Sequence, residues 1–224
     1  MDKIRMRTKA GSINLRVTTK DGSPCEVWNG GKKIAEMQSD NWENIAVQNN
    51  AEEIIIKGYD IQELGCDNNQ LTTLNASGCT SLQVLECSSN QLTALDIRGL
   101  TSLEHLYCYD NRLTALDIRG LTSLEHLECY NNQLTSLAVS GLTSLQWLDC
   151  YDNQLTTLNA SGCTSLQELY CFRTQLTALD ASGCTSLQKL YCNNNKLSAE
   201  VFKKLFEDFP ERKEKDGRVL LYKD

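Results

Sequence analysis

Cysteine recurs at one unbroken interval along most of this chain. Cys66, Cys87, Cys108, Cys129, Cys150, Cys171 and Cys192 each follow the last by 21 residues. One phrase surrounds each of them, best read at Leu145-Gln-Trp-Leu148-Asp-Cys150-Tyr-Asp-Asn153-Gln-Leu155. A fixed interval over seven copies dictates stacked like units, each burying its apolar side against its neighbours. It also aligns the chain with itself: positions that never change report the scaffold, and positions that change report a working surface.

Eleven cysteines would ordinarily point to disulfides or zinc. The spacing argues otherwise. Structural metal sites use close pairs such as C-x2-C, whereas one cysteine per 21 residues supplies one thiol per rung. Neighbouring in-register strands lie ~4.8 Å apart with parallel Cβ vectors, while a disulfide wants Cβ atoms ~3.8 Å apart and angled together. Cys79, Cys163 and Cys184 share a repeat position with Leu100, Leu121 and Leu142, so that slot takes a small apolar body. These ten cysteines are expected in the core; Cys25 lies outside the repeats and has no assigned role.

Each unit reads L-x-x-L-x-C-x-x-N-x-L-T-x-L-x-x-x-G-[C/L]-T-S over residues 61–197. This resembles the leucine-rich repeat, L-x-x-L-x-L-x-x-N/C-x-L. The cysteine in place of the third leucine makes it similar to the cysteine-ladder internalins and related bacterial cell-surface repeat proteins. The resemblance implies a β-dominated α/β solenoid with a parallel concave β-sheet, and a bacterial surface or secreted setting. Met1 to Lys9 lack the apolar core of a signal peptide. The residues argue for the same shape. Alternation around Leu148 and Cys150 makes a strand with both side chains inward. Asn69, Asn90, Asn111, Asn132, Asn153 and Asn195 turn the chain away and supply an inward amide for turn backbone groups. Thr174 stands where the sixth copy would have Asn, which marks a weak rung. The return path is too short and too rich in Thr, Ser and Gly for an α-helix, so extended or 3₁₀ geometry is expected there.

Both ends leave the repeat. Residues 1–41 read as a β-hairpin N-terminal cap, with alternation at Ile4-Arg-Met6 and Ile13-Asn-Leu15-Arg-Val17 and turn signals at Asp21-Gly22 and Asn29-Gly30-Gly31. The solenoid runs over 42–197, its irregular first rung formed by Trp42, Ile45, Val47 and Asn50. Residues 198–224 form a helix-plus-strand C-terminal cap: Ser198 is the N-cap, Val201, Phe202, Leu205, Phe206 and Phe209 share one face, Pro210 stops the helix, and Val219 to Tyr222 make a last strand.

Function must sit at the outward positions, which are the third, fifth, seventh and eighth of each unit. The third offers His105, His126 and Trp147. The fifth offers Tyr107, Glu128, Asp149 and Tyr170. The seventh offers Tyr109, Tyr130, Tyr151 and Phe172, and the eighth Asp110, Asp152 and Arg173. Rigid aromatics bunched among polar residues resemble a paratope, and acidic neighbours select a partner's Lys or Arg. The net charge of −7 falls on the repeats: residues 61–197 hold six basic and thirteen acidic residues, against nine of each in 1–60 and seven of each in 198–224. That balance argues against nucleic acid and anionic membrane as partners. No run of residues approaches the ~20 apolar positions that span a bilayer. His105 and His126 share one position in adjacent copies, but two open ligands make a weak metal site, so neither metal nor cofactor is expected. No nucleophile elbow, Ser–His–acid set or phosphate loop is present, and the carboxylates lie on an open sheet, which argues against an enzyme. The expectation is a monomeric, non-catalytic module that binds a protein or peptide carrying basic residues. The alternatives are carbohydrate binding by the same rings, or a structural spacer of a larger adhesin.

Overall fold

The computed structural model describes residues 1–47, 52–208 and 218–220. The chain divides into two compact units, residues 1–113 and 114–224. None of the described helices is long and apolar enough to cross a membrane.

The first unit holds β1 (Asp2–Thr8), β2 (Ser12–Thr19), β3 (Cys25–Asn29), β4 (Lys32–Met37), β5 (Trp42–Ala46), β6 (Ile54–Gly58), β7 (Ile61–Gly65), β8 (Leu71–Asn75), β9 (Val84–Glu86), β10 (Ala94–Asp96) and β11 (His105–Tyr107). They form two layers. One runs in the order β10-β8-β1-β6-β3-β4, and the other β5-β2-β7-β9-β11. β1 and β2 do not pair with each other. Ile4 and Met6 from one strand and Ile13, Leu15 and Val17 from the next are all buried, and the two strands lie in opposite layers. The hairpin signal at Asn29-Gly30-Gly31 is met by β3 and β4. Asn29 lies opposite Lys32, and Gly30 and Gly31 take φ of +56° and +76°, the left-handed pair that a two-residue turn needs.

Trp42 to Val47 do not form a parallel rung. β5 runs antiparallel to β2, with Ile13 opposite Ile45 and Arg16 opposite Trp42. Ile45 is buried, but Trp42 faces outward and is 48% exposed. Asn50 lies outside the described residues. Parallel stacking begins at β7, which pairs with β9.

The second unit holds β12 (His126–Glu128), β13 (Trp147–Asp149), β14 (Thr157–Asn159), β15 (Glu168–Tyr170), β16 (Ala178–Asp180), β17 (Lys189–Tyr191), α1 (Ala199–Asp208) and β18 (Arg218–Leu220). β12-β13-β15-β17-β18 form a parallel sheet, and β14 pairs with β16 on the return side, extended rather than helical. This is the β-solenoid expected from the repeat. Ser198 Oγ accepts the Val201 N–H at 3.3 Å, capping α1, and Leu205 is 2% exposed. Phe209, Pro210 and Tyr222, and the side chain of Phe206, lie outside the described residues.

The cysteine ladder is a spine of buried thiols outside any disulfide, six of the seven at 0% exposure and Cys192 at 1%. Burial pushes the thiols of Cys66, Cys87, Cys150 and Cys171 well above their ordinary range, which keeps them protonated and unreactive. The Cys/Leu slot is subtler than a small apolar body. Cys163 Sγ donates to Val139 O at 3.1 Å and Cys184 Sγ to Ala160 O at 3.2 Å, a weak bond that leucine cannot make.

The asparagines stitch rungs together. Asn153 Nδ2 donates to Cys150 O at 3.1 Å in its own rung and to Cys129 O at 3.0 Å in the rung before, while its Oδ1 accepts Leu134 N–H at 2.9 Å. Asn90, Asn111 and Asn195 repeat the pattern. Thr174 replaces it in part: its hydroxyl lies 2.6 Å from Asn195 Oδ1 and 3.3 Å from Cys171 O, two acceptors for one proton.

Candidate partner-binding face

The parallel register lines up equivalent outward positions into columns. In the second unit His126, Trp147, Glu168 and Lys189 stand side by side, and so do Glu128, Asp149, Tyr170 and Tyr191. Strand spacing near ~4.8 Å is close to the thickness at which aromatic rings stack, so columns of rings become ladders. Tyr130, Tyr151 and Phe172 form one, with centroids 4.5 and 4.4 Å apart and planes within 9° of parallel. His126, Trp147, Tyr170 and Tyr191 form a second, which crosses from one column to the next between Trp147 and Tyr170, at 5.3, 5.1 and 4.8 Å. The guanidinium of Arg173 lies 5.7 Å from the Phe172 centroid.

Ion pairs and hydrogen bonds fix these side chains. His126 Nε2 and Glu128 Oε1 are 2.8 Å apart, and Tyr170 Oη donates to Glu168 Oε2 at 2.5 Å. Glu168 also takes Lys189 Nζ at 2.8 Å, and Arg173 makes a two-toothed pair with Asp152. Asp149, half-buried beside Glu128, departs most from ordinary behaviour: burial first, and then the Glu128 charge, push its carboxyl up to about 7. A carboxyl tuned to neutrality is what an acid–base catalyst uses. Here it stands on an open sheet face. A cavity of about 450 Å³ lies on the return side, lined by β14, β16 and α1 residues such as Leu158, Leu179, Val201 and Lys204.

The second unit thus brings together ten of the expected residues: His126, Glu128, Tyr130, Trp147, Asp149, Tyr151, Asp152, Tyr170, Phe172 and Arg173. The first unit carries His105 and Tyr107 on β11, ring centroids 6.3 Å apart, with Tyr109 and Asp110 just beyond. The eighth position has a second explanation. Asn68, Ser89, Asp110, Asn131, Asp152, Arg173 and Asn194 all have φ between +48° and +56°, a region that Asn and Asp tolerate best. The backbone therefore accounts for the Asp at 110 and 152, while Ser89 and Arg173 are exceptions, Arg173 being held by its ion pair.

Sequence reasoning missed part of the face in the first unit. Trp42, Arg16, Gly65, Glu86 and Tyr107 lie in one cross-strand row. A Cβ built on Gly65 would meet Trp42 Cη2 at 2.8 Å, so the indole lies over the bare glycine. The available signal was Gly65 itself, since every later copy carries a side chain at the fifth position. Arg16 is bound by Glu63 at 3.3 Å and by Asp40 and Glu86 at 3.6 Å, and its guanidinium carbon lies 5.7 Å from the Trp42 ring centroid.

A family model of leucine-rich repeats matches residues 101–142, 143–182 and 164–204. Among solved structures, the functional domain of InlJ from Listeria monocytogenes, which includes a cysteine ladder, is 35% identical with a TM-score of 0.58. The match covers 72% of this chain and 34% of that one, so this chain spans about a third of that structure's length. A leucine-rich repeat protein of Leptospira interrogans is 23% identical with a TM-score of 0.53, covering 71% of this chain and 48% of that one; this likeness shows the fold alone. No curated protein sequence matches.

Proposed function

This chain is a leucine-rich repeat protein with 21-residue cysteine-ladder repeats, similar to the internalins, and we propose that it is a non-catalytic recognition module binding a protein or peptide through its outward sheet face. The observation that carries the reading is the pair of ring ladders in the second unit, set on positions that vary while the scaffold around them repeats. Stacking holds each ring in one orientation, so binding costs little further side-chain entropy. Glu128, Asp149 and Asp152 among the rings favour a partner with Lys or Arg. The same stacking argues against the carbohydrate alternative. A sugar packs on a ring face, and the inner faces of Tyr130, Tyr151 and Phe172 are covered by one another at 4.4–4.5 Å. A bacterial surface or secreted setting belongs to the proposal by the resemblance to the cysteine-ladder internalins.

A randomised peptide library displayed on phage and selected against the immobilised protein tests this. Binders should lose capture when Tyr130→Ala and Tyr151→Ala are combined, with secondary structure by circular dichroism unchanged. Binders indifferent to that double substitution would sink the reading.

A further inference from the structure

Trp42 differs from the other aromatics at outward positions. The ladder rings of the second unit are half-buried and cover one another, whereas Trp42 is 48% exposed. A large exposed indole is uncommon unless it is used. Nor is it loose. Its benzo edge rests on Gly65, where any side chain would collide at 2.8 Å, and Arg16 lies between the two in the same row. Arg16 is in turn gripped by Asp40, Glu63 and Glu86. An exposed tryptophan held in one place by its own scaffold has the properties of an interface anchor, because little conformational freedom remains to be lost.

We infer that Trp42, presented by the N-terminal cap over Gly65, is an anchor on the outward face of the first unit and receives a basic side chain of a peptide segment. The inference rests on the proposed reading that the outward face binds a peptide. Charge sets the chemistry of the occupant. Around the indole one cation, Arg16, meets three carboxylates, so the spot is left negative and attracts a cation rather than an acid. Arg16 already shows how such a group sits, its guanidinium carbon 5.7 Å from the indole centroid with carboxylates at its nitrogens. A partner's Lys or Arg would lay its aliphatic stem along the exposed indole and direct its head to Glu63, Glu86 or Asp40.

Fluorescence anisotropy with a labelled nonapeptide alternating lysine and valine tests the inference, with its glutamate–valine counterpart as control. The lysine peptide should bind and the glutamate peptide should not. Trp42→Ala should raise Kd by roughly 10-fold or more, as expected of an interface anchor. Gly65→Ala should do the same with the indole retained, by displacing it, and Trp42→Tyr should recover part of the affinity. Unchanged Kd in Trp42→Ala and Gly65→Ala would overturn the anchor, as would equal binding of the two peptides or none. The Tyr130→Ala, Tyr151→Ala variant is run alongside. If it alone loses binding, the proposed function stands and the anchor falls; if Trp42→Ala alone loses it, the anchor stands and the ladders are not the binding surface.

Discussion

Thr174 shows how finely single residues are set by the rung. In each Asn rung one amide supplies two donor hydrogens and an acceptor, and at Asn153 those reach Cys150 O, Cys129 O and Leu134 N–H. The Thr174 hydroxyl has one hydrogen for Cys171 O and Asn195 Oδ1, and it is too short to make the bond to Leu155 N–H that Asn would make. Buried backbone groups left without partners are costly, and each restored bond contributes about 1 kcal/mol. Thr174→Asn should therefore add about 1 kcal/mol of stability, seen as a higher urea midpoint at unchanged m, and slow amide exchange at Leu155. If stability fell, the hydroxyl would be a better fit than the repeat suggests. The preceding Arg173, with φ +48°, is a second departure in the same rung, held by Asp152.

At the scale of elements, β12 and β13 place Glu128 beside Asp149, and this pairing has a pH signature. The Asp149 carboxyl is held up to about 7, against an ordinary value near 3.9, chiefly by burial and then by Glu128. Between those values the folded state binds the proton more tightly than the unfolded chain, so stability falls as pH rises from about 4 to about 7 and levels off above. Asp67, raised to about 6 by burial, adds a smaller trend of the same sign in the first unit. Asp149→Asn should flatten the decline in melting temperature between pH 5 and pH 8 and leave the variant more stable than the parent at pH 8. Parallel curves for the two proteins would show that the carboxyl titrates normally. The columns that hold these groups were legible in the sequence, because a strict repeat assigns each residue a position before any fold is known. The pairings of β1, β2 and β5 were not, although the alternation at Ile4 to Met6 and Ile13 to Val17 does mark strands. Trp42, Ile45 and Val47 fit the repeat spacing, yet the partner of β5 is β2, more than twenty residues earlier and antiparallel. A local pattern carries no information about such a pairing, and it is that pairing which turns Trp42 outward.

For the whole molecule, the consequence of the cysteine interval is modularity within the stack. Strands of the second unit pair only with the rung before and the rung after, so a rung is added or removed without altering any other rung's internal contacts. The interval then becomes a strict requirement. Excision of residues 152–172, which is 21 residues, joins Tyr151 to Arg173 in phase, leaves Leu148 and Cys150 inward and puts Thr174 in the slot of Asn153. Excision of 152–171 removes one fewer and puts every later side chain of that rung one position out, exchanging inward for outward. The first deletion should keep a single cooperative unfolding transition, with a urea m-value smaller in proportion to the buried surface removed. The second should lose cooperativity or melt lower by at least ~10 degrees, the shift expected when a few kcal/mol of packing is lost. Circular dichroism melts and urea titrations of the two variants decide it. Equal behaviour would mean that the C-terminal rungs are held by something other than the register that the cysteines mark.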